Sequence, residues 1–186
     1  DFMWGLDGVG HVPTKTGLPF HDEAAMIDDT YLVGRIGLSK EHPFVEHFKF
    51  IKQFEDENTI VKQTMPAPAQ LLAELEREDN SIKTSAIYPN MEELMQDVAA
   101  AYRTVIQELY EAGCRNIQFD DCTWGMFCDT NYWNARQHDN VSLESEAEKY
   151  LRVNNLAMEG KPADLTIATH VCRGNYHSTY ACSGAY

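Results

Sequence analysis

Basic residues are scarce in this sequence. Lysine and arginine number 15 against 29 aspartates and glutamates, a formal net charge of −14. Such a surface repels phosphate backbones and anionic lipid, so no nucleic-acid partner is expected. Also missing are any apolar run approaching the ~18 to 20 residues of a membrane-spanning helix and any charged-then-apolar leader. No membrane role is expected, and the cytoplasm is the expected compartment. Neither a phosphate loop nor a G-x-G-x-x-G fingerprint occurs, which argues against a nucleotide-binding sheet. Cysteine is sparse: Cys114, Cys122, Cys128, Cys172 and Cys182 make an odd five without the dense spacing of a disulfide scaffold. At least some should be free thiols or metal ligands.

What is present points to a globular α/β domain. A chain of 186 residues, 44% apolar and 11% aromatic, can bury a sizeable core. Its organising stretch runs over residues 89–121. Leu94, Met95, Val98, Tyr102, Val105, Ile106 and Leu109 follow Met91 at three-then-four spacing, which predicts one apolar helical face. Asn90 with Glu93 reads as a capping box, and Gly113 as the left-handed residue that ends the helix. Asn116-Ile117-Gln118-Phe119 then reads as a buried parallel strand that delivers Asp120 and Asp121 to its C-terminal end. In parallel α/β folds that end carries the chemistry, because the loops there vary while the sheet holds their bases.

Around this unit, residues 1–29 are rich in glycine and proline and read as irregular structure about an extended segment. A strand is expected over 30–36, a helix over 43–54 with Phe44, Val45, Phe48, Ile51 and Phe54 inward, and a strand over 60–65. A short helix over 69–77 with its acids and arginine outward, a polar loop over 78–88 and an aromatic-rich loop over 122–140 are expected next. Ser142 should cap a helix carrying Leu143, Ala147, Tyr150, Leu151 and Ala157 on one face, stopped by Gly160 and Pro162. A last strand over 165–168 leads into Thr169-His170-Val171-Cys172. The alternation predicts a parallel sheet with about four β/α units, roughly half of the eight in a closed barrel. With Asp1-Phe2-Met3-Trp4 at its start, the chain reads as part of something longer.

His170 and Cys172 are the sharpest chemical signal. Residues two apart on a strand share a face, and imidazole nitrogen and thiolate sulfur both bind zinc at about 2.0 to 2.3 Å. The other reading is a buried thiol beside a hydrogen-bonded histidine. Asp120 and Asp121 face opposite ways, so one should enter the mouth of the fold and the other cap the next segment. Arg173, Asn175, His177 and Tyr180 are candidate pocket groups or solvated loop residues. Cys122, Cys128 and Cys182 read as structural thiols, and Glu144, Glu146 and Glu148 as a solvated helix face.

Four stretches together resemble the C-terminal barrel of cobalamin-independent methionine synthase, especially its short single-barrel relatives. Val61-Lys62 through Ala67-Pro68 is similar to the family's V-K-x-x-x-x-G-P strand and turn, with alanine where glycine is usual. Ala112-Gly113 through Gln118-Phe119-Asp120-Asp121 looks like its A-G-x-x-x-I-Q-x-D-E/D segment, and Thr169 through Cys172 like its H-x-C strand. Cys172-Arg173-Gly174-Asn175-Tyr176 and Ser183-Gly184-Ala185-Tyr186 are typical of the short relatives.

The resemblance implies a (β/α)8 TIM barrel, of which residues 1–186 form about the middle half. It implies zinc held by His170 and Cys172, with a glutamate and a second cysteine from later strands, and it implies that Asp120, with Asp121 beside it, holds the amino group of homocysteine. The implied activity is transfer of a methyl group from 5-methyltetrahydrofolate to the homocysteine thiol, giving methionine. Where the long enzymes of that family have proline and a downstream glutamate that contacts folate, this chain has Cys122 and Met126, which a different donor would explain; related zinc-dependent alkyl transfer to another small thiol is a second expectation. A non-catalytic barrel that has lost its metal is a third. A homo-oligomer is compatible with each.

Overall fold

A computed structural model of the chain describes residues 2–136 and 141–185. Asp1, Asn140 and Tyr186, which end segments singled out above, lie outside the described residues.

Helix α4 (Met91–Glu111) forms the backbone of the fold, as its spacing predicts. Leu94, Val98, Tyr102, Val105 and Leu109 are completely buried along one face, each such side chain contributing about 1.5–3 kcal/mol of transfer free energy. At its N-terminus Asn90 Oδ1 accepts from the Glu92 N–H at 2.9 Å, but the reciprocal half of a capping box is replaced: the Glu93 carboxylate binds Arg35 at 3.0 Å. At its C-terminus Gly113 has φ +97°, and the Gly113 and Cys114 N–H groups return to Tyr110 and Leu109 carbonyls, satisfying the last turn.

Three parallel strands follow the order β5 (Gln63–Pro66), β6 (Asn116–Asp121), β7 (Thr166–Val171). In register, Pro66 stands opposite Asp120 and Asp120 opposite His170. Helix α2 (Pro68–Leu75) follows β5, α5 (Thr123–Cys128) and α6 (Thr130–Arg136) follow β6, and α7 (Leu143–Met158) leads into β7. The core lies between one sheet face and the layer of α2, α4 and α7. Met65, Ile117 and Phe119 point into it, and Tyr102 spans it, its hydroxyl donating to the Pro66 carbonyl at 3.1 Å.

The expected fourth β/α unit is absent from this sheet. Its strand exists as β4 (Asp29–Leu32), but pairs antiparallel with β1 (Val9–Val12) in a separate ribbon. A second small ribbon joins β2 (Leu18–Pro19) to β3 (Ala24–Ala25), so residues 1–29 hold more regular structure than glycine and proline suggest. Alternation in a sequence marks a strand but not its neighbour. Among the described residues the parallel sheet has three strands, and the expected eight-stranded barrel is not seen.

Two expected loops are helical. Residues 78–88 contain α3 (Glu78–Ile87), which lacks an apolar stripe and is tied back by single polar bonds: Thr84 Oγ1 to the Leu75 carbonyl at 2.8 Å and Asn80 Nδ2 to the Thr30 carbonyl at 2.9 Å. Residues 122–140 contain α5 and α6, each too short to show a helical period. Side chains fix them instead: Asp121 accepts from the Thr123 N–H at 2.9 Å and Asp129 from the Tyr132 N–H at 3.0 Å, while Phe127 meets Trp124, Trp133 and Tyr150.

Helix α1 (Pro43–Lys52) ends two residues early, leaving Phe54 exposed beyond it; Ile51 within it is exposed too, while Val45 and Phe48 are buried as expected. Leu151 is exposed on α7, whereas Tyr150 and Ala157 are buried. Glu146 is not a solvated residue: with Glu76 it holds Lys149 at 2.8 and 2.7 Å between α2 and α7. Burial pushes the Glu76 carboxyl above its usual range against the pull of that lysine.

Candidate functional site at the C-terminal ends of β6 and β7

Strand alternation divides β6 into two chemistries. Ile117, Phe119 and Asp121 are buried towards the helices, whereas Asn116, Gln118 and Asp120 lie on the other, partly open face. Register then decides which residues meet. His170 stands opposite Asp120 and shares its face, and Cys172 lies two residues further along the same side. The sequence-predicted residues Asp120, His170 and Cys172 are therefore brought to one end of one sheet face. Asp121 is on the reverse.

The two aspartates have different surroundings. Asp121 is inaccessible to solvent, and both of its oxygens are engaged: Oδ1 accepts from the Thr123 backbone and hydroxyl, and Oδ2 from Asn154 Nδ2 at 2.9 Å. It caps α5 and ties β6 to α7, the capping role that alternation allows for one of the pair. Asp120 is half-buried at the sheet mouth. Its Oδ1 accepts from Gln118 Nε2 at 2.6 Å, and Gln118 Oε1 in turn accepts from Lys62 Nζ at 2.6 Å. That relay orients the carboxylate without covering it.

On β7, His170 is exposed and Cys172 half-buried. The Gly174 N–H donates to Cys172 Sγ at 3.2 Å and fixes the thiol, while the Cys172 N–H donates to the Asp121 carbonyl at 3.0 Å. Gly125 in α5 packs directly on this strand end, where an added Cβ would meet the Cys172 carbonyl at 2.7 Å. An imidazole and a thiol on one strand end are donors that zinc accepts, so the chemistry of the pair fits that ion. They are half of a tetrahedral set. Among the described residues no group of three or more histidine, cysteine, aspartate or glutamate side chains converges to hold a metal.

Cys122, expected as a structural thiol, is an exposed neighbour of Cys172 and interacts with it electrostatically. Desolvation of the sulfur, then the Cys172 thiol, pushes the Cys122 thiol above its usual range. Cys182 and Cys114 are buried, and Cys128 donates to the Trp124 carbonyl at 3.6 Å, as structural thiols do.

A cleft of about 130 Å³ opens beside Cys122, bordered by Gln70 and Glu74 from α2, by Arg77 just before α3, and by Met126 and Arg173. Glu74 and Arg77, expected to point outward, face this cleft and pair at 2.8 Å, with Asp29 at 3.4 Å from the same guanidinium. Of the loop candidates after β7, Arg173 borders the cleft. His177 pairs with Glu23 at 3.2 Å and Tyr180 stacks on His21, so these two fasten the loop to the N-terminal ribbon. The Gln118 relay was readable in principle, since Gln118 is two residues before Asp120. The contacts from α2 and Cys122 depend on register and loop path, which carry no local signal.

No family model matches the chain. It is 32% identical over 186 residues to the uncharacterized protein YxjH of Bacillus subtilis (strain 168), and 31% identical over 189 residues to the uncharacterized protein YxjG of the same organism. Each match takes in 100% of this chain and 47% of the relative, so the chain spans about half the length of these proteins. Among solved structures, a Listeria monocytogenes protein provisionally named a vitamin-B12-independent methionine synthase superposes with a TM-score of 0.65 at 31% identity, over 94% of this chain and 46% of that one. The chain thus has a mixed α/β fold with a parallel sheet, similar to that of a protein given a methionine synthase name.

Proposed function

We propose that this chain is part of a zinc-dependent methyltransferase that methylates the thiol of homocysteine. The observation that carries the reading is the register that sets His170 opposite Asp120 on one open sheet face, with Cys172 just past the end of β7, in a chain 31% identical to the Listeria protein. In this reading His170 and Cys172 hold zinc together with donors from the rest of the full-length protein. Bound zinc keeps a substrate thiol as thiolate near neutral pH, which makes it a nucleophile. Asp120, aimed by Gln118 and Lys62, receives the ammonium group of the amino acid on its Oδ2. That contact holds the thiol near the strand ends, so the protein supplies position rather than a covalent intermediate. The cleft beside Cys122 gives the methyl donor, 5-methyltetrahydrofolate in this reading, its approach to the sulfur. The excess of acid over base suits a substrate that presents an amine.

Elemental analysis of the full-length protein tests the reading. Stoichiometric zinc is expected in the wild type and its loss in Cys172→Ser, with Asp120→Asn keeping the metal while raising KM for homocysteine. A wild-type full-length protein free of zinc when purified without chelators would sink the mechanism.

A further inference from the structure

A larger cavity, of about 350 Å³, is enclosed by residues of α3, α7 and the end of α2, with Met126 of α5 and Trp133 of α6 closing it. Ala73, Arg77 and Met126 border both this cavity and the cleft beside Cys122, so the two are neighbours. Its volume falls in the range of about 300–1,000 Å³ that small-molecule sites occupy.

The polar lining is made of acceptors. Glu76 and Glu146 both turn to Lys149, at 2.7 and 2.8 Å, so one ammonium answers two carboxylates and a negative charge is left over. Those two acid side chains are 23% and 16% exposed, and water screens their excess charge weakly. On α3, Thr84 Oγ1 gives its proton to the Leu75 carbonyl and Ser85 Oγ gives its proton to the Ser81 carbonyl, each at 2.8 Å. A hydroxyl has one proton, so towards the cavity both oxygens can only accept. Arg77, at the border, has its guanidinium held by Glu74 at 2.8 Å and Asp29 at 3.4 Å. The apolar lining includes Trp133, Tyr150 and Met126. Lys149 Nζ stands 5.2 Å from the centre of the Tyr150 ring, a distance at which that ring attracts a cation. A carboxylate or phosphate ligand would be repelled here, whereas a cation with N–H donors finds partners.

We propose that this cavity binds a small organic ammonium ion, a primary amine on an apolar or aromatic body. The ammonium goes to the acid side, at Glu76 and Glu146, and the body packs against Trp133, Tyr150 and Met126. Among the described lining residues none is Asp120, His170 or Cys172, so the site does not rest on the zinc reading.

Isothermal titration calorimetry of the full-length protein tests the proposal, with tryptamine as the amine and indole-3-propionate as the same ring system carrying a carboxylate. Saturable one-to-one binding of tryptamine is expected, about tenfold or more tighter than that of indole-3-propionate. Glu146→Gln should weaken tryptamine by about tenfold, and Asp120→Asn should leave it unchanged. Hydrogen exchange on the wild type locates the ligand whatever the variants do: tryptamine should slow exchange in α3 and α7. No saturable binding of tryptamine, equal binding of the two compounds, or unchanged exchange in α3 and α7 would overturn the proposal. A titration abolished by Asp120→Asn would put the amine at the sheet mouth, overturning this site while leaving the proposed function standing.

Discussion

The two faces of the parallel sheet are built from alternate residues of the same six-residue strand, yet they obey different rules. On the helix side Ile117, Phe119 and Asp121 are fully enclosed, and even the charge among them has partners on both oxygens. On the other side Gln118 and Asp120 keep solvent access, and His170 beside them is exposed. A buried carboxylate without partners is costly, so Asp121 is committed to structure; a partly hydrated one needs fewer partners, so Asp120 is free to meet a ligand. Adjacent aspartates in a sequence are thus different components.

Substitutions can break that contrast, beginning with the largest effect. Phe119→Ala empties the centre of the enclosed face and should cost about 3–5 kcal/mol in chemical denaturation. Asp121→Asn should cost about 2–3 kcal/mol. Its new amide would face Asn154 Nδ2, and Asn154 cannot turn over in response because its Oδ1 already accepts from the Ala69 N–H at 2.9 Å. If Asp121→Asn were neutral, the assignment of Asp121 to structure would be wrong.

A pH titration of stability sharpens the same distinction at another enclosed group. Burial holds the His42 imidazole below its ordinary value of 6.5, with Nε2 donating to the Phe2 carbonyl at 2.9 Å and Nδ1 accepting from the Phe44 N–H at 3.2 Å. Below 6.5 the unfolded chain takes up a proton that the folded protein resists. The contribution of neutral His42 is therefore complete above that pH, falls as pH drops through the lowered folded value, and levels off beneath it. His42→Gln should remove this part of the acid dependence, read as denaturation midpoint against pH. Asp120→Asn is the smallest case, expected to change stability by no more than about 0.5 kcal/mol. A large loss there would mean that the open face is also structural.

Legibility followed the range of the forces involved. Helices α4 and α7 and strand β6 were readable because each repeats a pattern over enough residues to define a period, and because Asn90, Gly113, Ser142 and Gly160 mark their ends chemically. Helix α3 was not readable because it lacks an apolar stripe, and α5 and α6 because one or two turns show no period; their support comes from Leu75, Thr30 and the aromatic cluster around Phe127. Glu146 left its expected solvated place because Lys149 of α7 reaches across to Glu76 at the end of α2 and draws Glu146 in beside it.

The sequence alone determined the residue types at the two strand ends and the alternation that separates Asp120 from Asp121, since both are local properties of a β-strand. Tertiary structure decided which aspartate faces the helices, set His170 across from Asp120, and brought Cys122 to Cys172. Those outcomes depend on strand order and register, fixed by packing between segments some fifty residues apart in the chain, and no local pattern encodes them.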